Sequence, residues 1–319
     1  MSSATVSRVV NGSPLVVEST RLRVQKAIAE LGYHPNHAAR MLARDRTEMI
    51  AVIIPPLGKD YFREILMAVD VVAAAHQHHV MIALSHDLKD EKELIDRYVR
   101  ERRADGLVIM IHALGYDAVI KRAGAAGLPV AVIGRAVKGP NLYSVSIDNR
   151  EGAGQAVRHL AARGVRRLAL LTGSADNCDS RERLEGARQA AAQCGLSLTP
   201  EWIWDGGFQE LVAYDLIKER LSLGRPMPDG LFAFNDEMAL GARAALLERG
   251  VPVPGAVALV GFDDISSARH MGLTTVHQPM AEMGRQAAGL LMDHLAGRPS
   301  RPAHCVLPTQ LIARASTKS

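Results

Sequence analysis

From Met49 onward the chain alternates short, continuously apolar, β-branched runs with longer stretches of helical periodicity, and this constrains the fold more than any other feature. Runs at 50–54 (IAVII), 80–84 (VMIAL), 106–111 (GLVIMI), 129–133 (PVAVI) and 144–147 (SVSI) form a first set. Runs at 167–173 (RLALLTG), 230–234 (GLFAF) and 257–262 (VALVGF) form a second. A strand that is apolar on both faces must be covered on both, which calls for a parallel sheet with helices above and below it. The stretches Phe62 to His76, Glu91 to Arg102 and Ala153 to Arg163 have the length and spacing of such helices. The expected fold class is therefore α/β, with doubly wound parallel sheets. Two sets of strands parted near Asn149 predict two similar lobes, with a ligand cleft at the carboxyl ends of their strands.

The segment before Met49 differs in pattern and in charge. ATVSRVVN (4–11) is a short amphipathic helix stopped by Gly12, with Ser13-Pro14 as the turn. Between Glu18 and Leu31 the positions Leu22, Val24, Ala27, Ile28 and Leu31 follow helical spacing, and Gly32 stands just past the end. After the break at His34-Pro35-Asn36, AARMLARDR reads as a brief basic helix. Of 38 Lys and Arg and 34 Asp and Glu in the chain, residues 1–47 hold seven and three, so the other 272 residues carry 31 of each. A basic head on a neutral body fits a polyanion partner, because Lys and Arg neutralising phosphates supply most non-specific affinity for DNA.

Several function classes find no support. The longest apolar runs are near six residues, far short of the roughly 20 that span a bilayer, so no membrane partner is expected. MSSATVSRVV lacks the basic region and apolar core of a signal peptide, which points to a cytoplasmic protein. Cys178, Cys194 and Cys305 are scattered and odd in number, as reduced thiols would be. His76, His78 and His79 sit at a helix end without a matching ligand set, so no metal is expected. LTGSADNC is not a phosphate loop, and no nucleophile motif occurs. Asp263-Asp264 as paired carboxylates is the sharpest enzymatic alternative, but the expectation is no enzyme, no catalytic residue and no cofactor.

ATVSRVVNGSPLVVESTRLRVQKAIAELGYHPNHAARMLA resembles the distal part of the DNA-binding headpiece of the LacI/GalR family of bacterial repressors. VSIDNREGAGQAVRHLAARGVRRLALLTG, FNDEMALGARAALLERGVPVPGAVALVGFDD, LTTVHQP and LPTQLIARAST resemble that family's core, so the likeness covers almost the whole chain. It implies a two-lobed, periplasmic-binding-protein-like core preceded by a small all-α, incomplete helix-turn-helix headpiece and a hinge helix. The implied division is 1–47 for the headpiece and hinge, 48–148 with about 278–304 for the N-terminal lobe, and 149–277 with about 305–319 for the C-terminal lobe. The family headpiece begins one helix earlier; the reading frame is expected to continue upstream of Met1, the alternative being a natural or engineered truncation.

Site residues follow from the same resemblance. A recognition helix reads base edges in the major groove from residues near its start. Here Ser3, Ala4 and Arg8 hold those places, with Arg8 able to grip guanine bidentately. Thr5, Ser7, Asn11 and Asn36 are candidates for phosphate or base contacts. Leu42 matches the hinge leucine that wedges between base steps in the minor groove. For the cleft, Tyr61, Phe62 and Phe208 match ligand-stacking positions in a chain with 4% aromatics. Arg183 matches a clamp for hydroxyls or a carboxylate, with Asn177 and Asp179 in the loop before it. Asn235, Asp263 and Asp148 match positions that hydrogen-bond the effector. The expected protein is a ligand-responsive repressor acting as a homodimer on operator DNA. Its effector is expected to be a sugar or sugar acid, with a purine less favoured. The rivals are a sugar-binding protein without DNA-binding activity and an enzyme on the same scaffold.

Overall fold

The computed structural model describes residues 2–10, 13–32, 46–55, 60–85, 88–110, 115–298 and 303–317. It separates into two units, Met1–Glu48 and Met49–Ser319.

In the first unit, α1 (Ser3–Val10) and α2 (Glu18–Leu31) pack against each other around the buried Val9 and Val24. Ser2 caps α1: its Oγ accepts from Thr5 N at 3.3 Å and meets Thr5 Oγ1 at 3.0 Å. Gly32 ends α2 in the left-handed region at φ 58°, its N–H turned back on the last carbonyls. The brief basic helix expected at 38–46 lies almost wholly outside the described residues.

The second unit holds two six-stranded sheets. The first contains β1 (Met49–Ile54), β2 (His79–Leu84), β3 (Gly106–Met110), β4 (Val130–Ile133) and β5 (Leu142–Ile147), with α3 (Asp60–Ala75), α4 (Leu88–Glu101) and α5 (Asp117–Ala125) between them. The second contains β6 (Leu168–Thr172), β7 (Ile203–Asp205), β8 (Gly230–Ala233), β9 (Ala258–Asp263) and β10 (Thr274–His277). Its helices are α6 (Asn149–Ala162), α7 (Cys178–Gln193), α8 (Glu210–Ser222), α9 (Asp236–Glu248) and α10 (Ser266–His270). Then α11 (Met280–Leu295) returns to the first sheet against α3, followed by β11 (His304–Leu307) and β12 (Gln310–Ile312). The orders are β11-β5-β4-β3-β1-β2 and β12-β10-β9-β8-β6-β7, parallel throughout except β10 with β12.

Every residue of β3, β4, β5, β6, β8 and β9 is buried, as the continuous apolar runs require. The doubly wound α/β expectation is met, and the strands that pattern reading missed are short or marginal. β7 and β12 have three residues each and β10 four, while β11 alternates exposed with half-buried positions. The chain passes between the sheets after Ile147, at Gln278-Pro279 and at Pro308-Thr309, a few residues beyond the 304/305 division drawn from the sequence.

The helices approach closely where glycine permits. A Cβ on Gly186 of α7 would sit 2.2 Å from the Arg150 carbonyl oxygen of α6. The obstacle is backbone and cannot swing aside. Gly186→Ala is therefore expected to cost about 2–3 kcal/mol, read as a lower urea midpoint at unchanged slope.

Candidate functional site

The carboxyl ends of both sheets face one cavity of about 810 Å³, within the range of small-molecule sites. Tyr61, Phe62, Asn177, Asp179, Arg183, Phe208, Asn235 and Asp263 all line it, so eight residues from five separate segments meet at one place. Asp148 does not join them. It stands at the first crossing, where its carboxylate caps α6 by accepting from Glu151 N at 2.9 Å, and its carbonyl oxygen accepts from Thr309 Oγ1 at 3.3 Å. Asp148-x-x-Glu151 is a capping-box spacing, and satisfying helix N–H groups is its local work here. Asp179, expected in a loop, lies in the first turn of α7 behind the cap Asn177, whose Oδ1 accepts from Ser180 N at 3.1 Å.

Arg183 organises the polar wall. Only 3% exposed, its guanidinium lies 3.7 Å over the Phe262 ring. Its Nε donates to Asn149 Oδ1 at 2.8 Å and its Nη1 donates to the Phe234 carbonyl. Asp179 and Asp263 flank it at 4.0 and 3.8 Å. Asn149 Nδ2 in turn donates to Asp179 Oδ1 at 3.0 Å, which turns that carboxylate. Gln278, at the second crossing, donates to Asp263. Asp263 has φ 119°, a conformation an L residue rarely adopts and one that aims its side chain off the end of β9.

Phe208 is equally constrained. It has φ 58°, and its ring lies so close to Gly173 that a Cβ there would fall 1.9 Å from Phe208 Cε2. The glycine of the LLTG run thus makes room for the aromatic. Asn235 caps α9 by accepting from Met238 N at 3.0 Å, and its amide donates to the Phe208 carbonyl at 3.5 Å.

Across the cavity the wall is largely aromatic and apolar: Pro55, Tyr61, Phe62, Met110 and Tyr116, with Glu91. Tyr116 Oη donates to Glu91 Oε2 at 2.5 Å. The Tyr61 phenol is pushed well above its ordinary value, first by burial and then by the negative charges of Asp179 and Asp263, with Arg183 acting against them. Met110, Glu91, Tyr116 and Gln278 were not anticipated. Of these only Gln278 carried a signal, in LTTVHQP.

Asp264, the other half of the supposed carboxylate pair, turns away from the cavity. It binds Arg314 at 2.6 Å, His277 at 3.1 Å and Arg269 at 3.4 Å, and burial of the carboxyl is overcome by these partners, so it stays below the usual range. Beneath the cavity floor Asp236 accepts from Ile265 N at 2.9 Å and from Thr275 Oγ1 at 2.5 Å. Burial first, and Asp263 next, push its carboxyl well above the ordinary value. Among the described residues no cluster of His, Cys, Asp and Glu could hold a metal ion, and no helix is long and apolar enough to cross a membrane.

On α1, Ala4 and Arg8 are exposed and one helical turn apart, whereas Thr5 is half-buried in the cap. The side chains of Ser3 and Ser7 are not described, and Asn11, Asn36 and Leu42 lie outside the described residues.

Two family models match: "Bacterial regulatory proteins, lacI family" over residues 1–36 and "Periplasmic binding protein-like domain" over 157–317. The HTH-type transcriptional repressor CytR of Escherichia coli K12 is 32% identical, over 100% of this chain and 94% of that protein. The lac repressor dimer bound to operator and the anti-inducer ONPF superposes with a TM-score of 0.86 at 27% identity, over 99% of this chain and 95% of that one. A complex of the transcriptional regulator CelR with cellobiose gives 0.76 at 32% identity, over 98% and 95%.

Proposed function

The chain belongs to the lacI family of bacterial regulatory proteins, and we propose that it is a transcriptional repressor that binds a two-fold operator as a homodimer and releases or grips it according to a polyhydroxylated effector. The observation that carries the reading is the meeting of eight dispersed residues around one cavity in a chain whose first 36 residues match the family's DNA-binding model. An aromatic wall opposite carboxylates, amides and a guanidinium suits a sugar, whose ring offers apolar C–H faces and a rim of hydroxyls. CelR is a relative solved with such a ligand. Binding-site selection from a random duplex pool should enrich an inverted repeat. Recovery of no common sequence contradicts the DNA-binding half of the reading.

In this proposal Ser3, Ala4, Thr5, Ser7, Arg8, Asn11 and Asn36 meet DNA, and Leu42 enters the minor groove at the hinge. Removing that wedge surrenders the kink and the contacts it permits. Leu42→Ala is expected to weaken specific operator binding by about a few kcal/mol, with effector affinity unchanged. Equal operator titrations for the two proteins would remove the wedge.

The homodimer is supported by an apolar surface on the first lobe. Met67 and Val71, one turn apart on α3, are 60% and 64% exposed, and Ile82 and Leu84 are exposed on β2, the sheet's edge strand. A patch of this kind beside an unpaired edge needs a partner. Val71→Asp is expected to raise the dimer dissociation constant at least about tenfold. An unchanged sedimentation equilibrium would move the interface elsewhere.

A further inference from the structure

The chain passes from the first lobe to the second twice, along neighbouring tracks. β5 and β11 pair with Leu307 against Ile147, and each runs directly into its crossing. Past the ladder the two tracks stay tied: Asp148 N donates to the Leu307 carbonyl at 3.2 Å, and Thr309 Oγ1 donates to the Asp148 carbonyl at 3.3 Å. From the second turn of α6 the side chain of Gln155 takes hold of the later track. Its Nε2 donates to the Thr309 carbonyl at 3.4 Å, and its Oε1 accepts from Leu311 N at 2.8 Å. That carbonyl and that N–H flank Gln310 on β12, the edge strand beside β10. The amide thus bonds the later track as one residue of a parallel strand would. It is also fixed in orientation. Its other N–H goes to Glu151 Oε1 at 3.2 Å, an atom that Arg158 Nη2 holds at 2.7 Å. A flipped amide would set its NH2 against the Leu311 N–H and its oxygen against a carbonyl and a carboxylate.

The same helix reaches the cavity. Asn149, the first residue of α6, accepts from Nε of the cavity-lining Arg183 at 2.8 Å. One turn on, a Cβ at Gly152 would fall 2.9 Å from Thr309 Oγ1 and 3.0 Å from Phe262 Cε2. Phe262 is the ring beneath the Arg183 guanidinium. The bare backbone of Gly152 therefore seats a residue of the crossing and the platform of the polar wall side by side. A continuous run of packed and hydrogen-bonded groups, Arg183 to Asn149 and Gly152 to Gln155 to Thr309, joins the cavity to the crossings.

We propose that Gln155 is a positioning residue of the ligand response: it locks the later crossing to the helix that holds Arg183, so that a ligand drawing on the polar wall turns the first lobe. This rests on the reading of the cavity as the effector site of a DNA-binding regulator. Gln155 does not line the cavity, and it acts through Thr309 and Asn149. With the chain from Thr309 onward held to α6, the bend between the lobes at these two crossings is confined to Ile147-Asp148 and Leu307-Pro308. Asp148, whose carbonyl receives Thr309, belongs to this hinge.

The test uses the full chain, the operator recovered by selection, and the tightest ligand among glucose, galactose, ribose and cellobiose. Operator affinity is titrated with and without saturating sugar, and sugar affinity is measured without DNA. In the parent the two operator affinities should differ by about 5–150-fold. Gln155→Leu, close in size and lacking the amide, should cut that factor at least about threefold, while sugar affinity without DNA stays within about threefold of the parent's. Thr309→Val removes the tie between the tracks at nearly constant size and should cut the factor too. Asp229→Ala controls for lost stability: its carboxylate accepts from Arg166 N and Arg167 N at 3.0 and 2.7 Å, at the end of the second sheet away from the cavity. It should lower the melting temperature and leave the factor alone. The parent's factor in Gln155→Leu, or in Thr309→Val should the first variant not fold, overturns the inference alone, and so does an equal fall in Asp229→Ala. Failure of every sugar to bind, or a parent whose operator affinity ignores bound sugar, contradicts the regulatory reading and the inference with it.

Discussion

Arg183→Ala is expected to lose the effector and to lower the melting temperature at once. The guanidinium is 3% exposed, donates to Asn149 and the Phe234 carbonyl, and separates Asp179 from Asp263. Truncation leaves the Asn149 and Phe234 carbonyl oxygens without this donor and removes the positive charge between Asp179 and Asp263 in a buried place. Breaking such a network costs about 3–5 kcal/mol. Ligand hydroxyls would lose charge-assisted bonds worth roughly 1.5–3 kcal/mol each, so effector binding should weaken at least about tenfold. Arg183→Lys restores the charge but not the planar fork, and should recover stability in part and binding hardly at all. Urea denaturation and calorimetry on the three proteins separate these effects. A variant with the parent's midpoint and dissociation constant would remove Arg183 from both roles.

The second large effect concerns DNA. Arg8 is exposed on α1, four residues from the exposed Ala4, and its neighbour Val9 is buried against α2. Its own side chain is therefore free of the helix pair's packing. A bidentate grip on guanine is worth about 1–3 kcal/mol of discrimination, and a dimer makes it twice. Arg8→Ala should thus weaken operator binding by roughly 2–6 kcal/mol and relax preference at one base pair in each half-site. Effector affinity should not change. If competition with substituted operators shows the same base preferences in parent and variant, Arg8 contacts phosphate and not a base.

The sequence carried the architecture because parallel strands buried on both faces leave an unbroken apolar record, as in GLVIMI and RLALLTG. Short strands at sheet edges leave none: Ile203–Asp205 is three residues beside a single neighbour, β6. The polar wall was readable where residues lie in recognisable runs, as with Arg183 in SRERLEG and Asn235 in FND. Its internal wiring was not. The donors and acceptors around Arg183 come from Asn149, Phe234 and Asp263, brought together only when α6, α7 and the ends of β8 and β9 pack. Glu91 and Tyr116 belong to α4 and to the residue before α5, and nothing local distinguishes them from ordinary helix and loop residues. Asp148 shows the converse. A carboxylate in a motif from the family core was read as a ligand group, although the spacing to Glu151 already described a helix cap.

The central claim is that occupancy of the cavity and grip on DNA are one coupled equilibrium. Its most direct test is the affinity of the full chain for its selected operator, titrated with and without a saturating concentration of the ligand that binds the cavity. Coupling of the usual size changes that affinity by about 5–150-fold, and the operator must change ligand affinity by the same factor. An operator affinity that stays the same at saturating ligand would contradict the account.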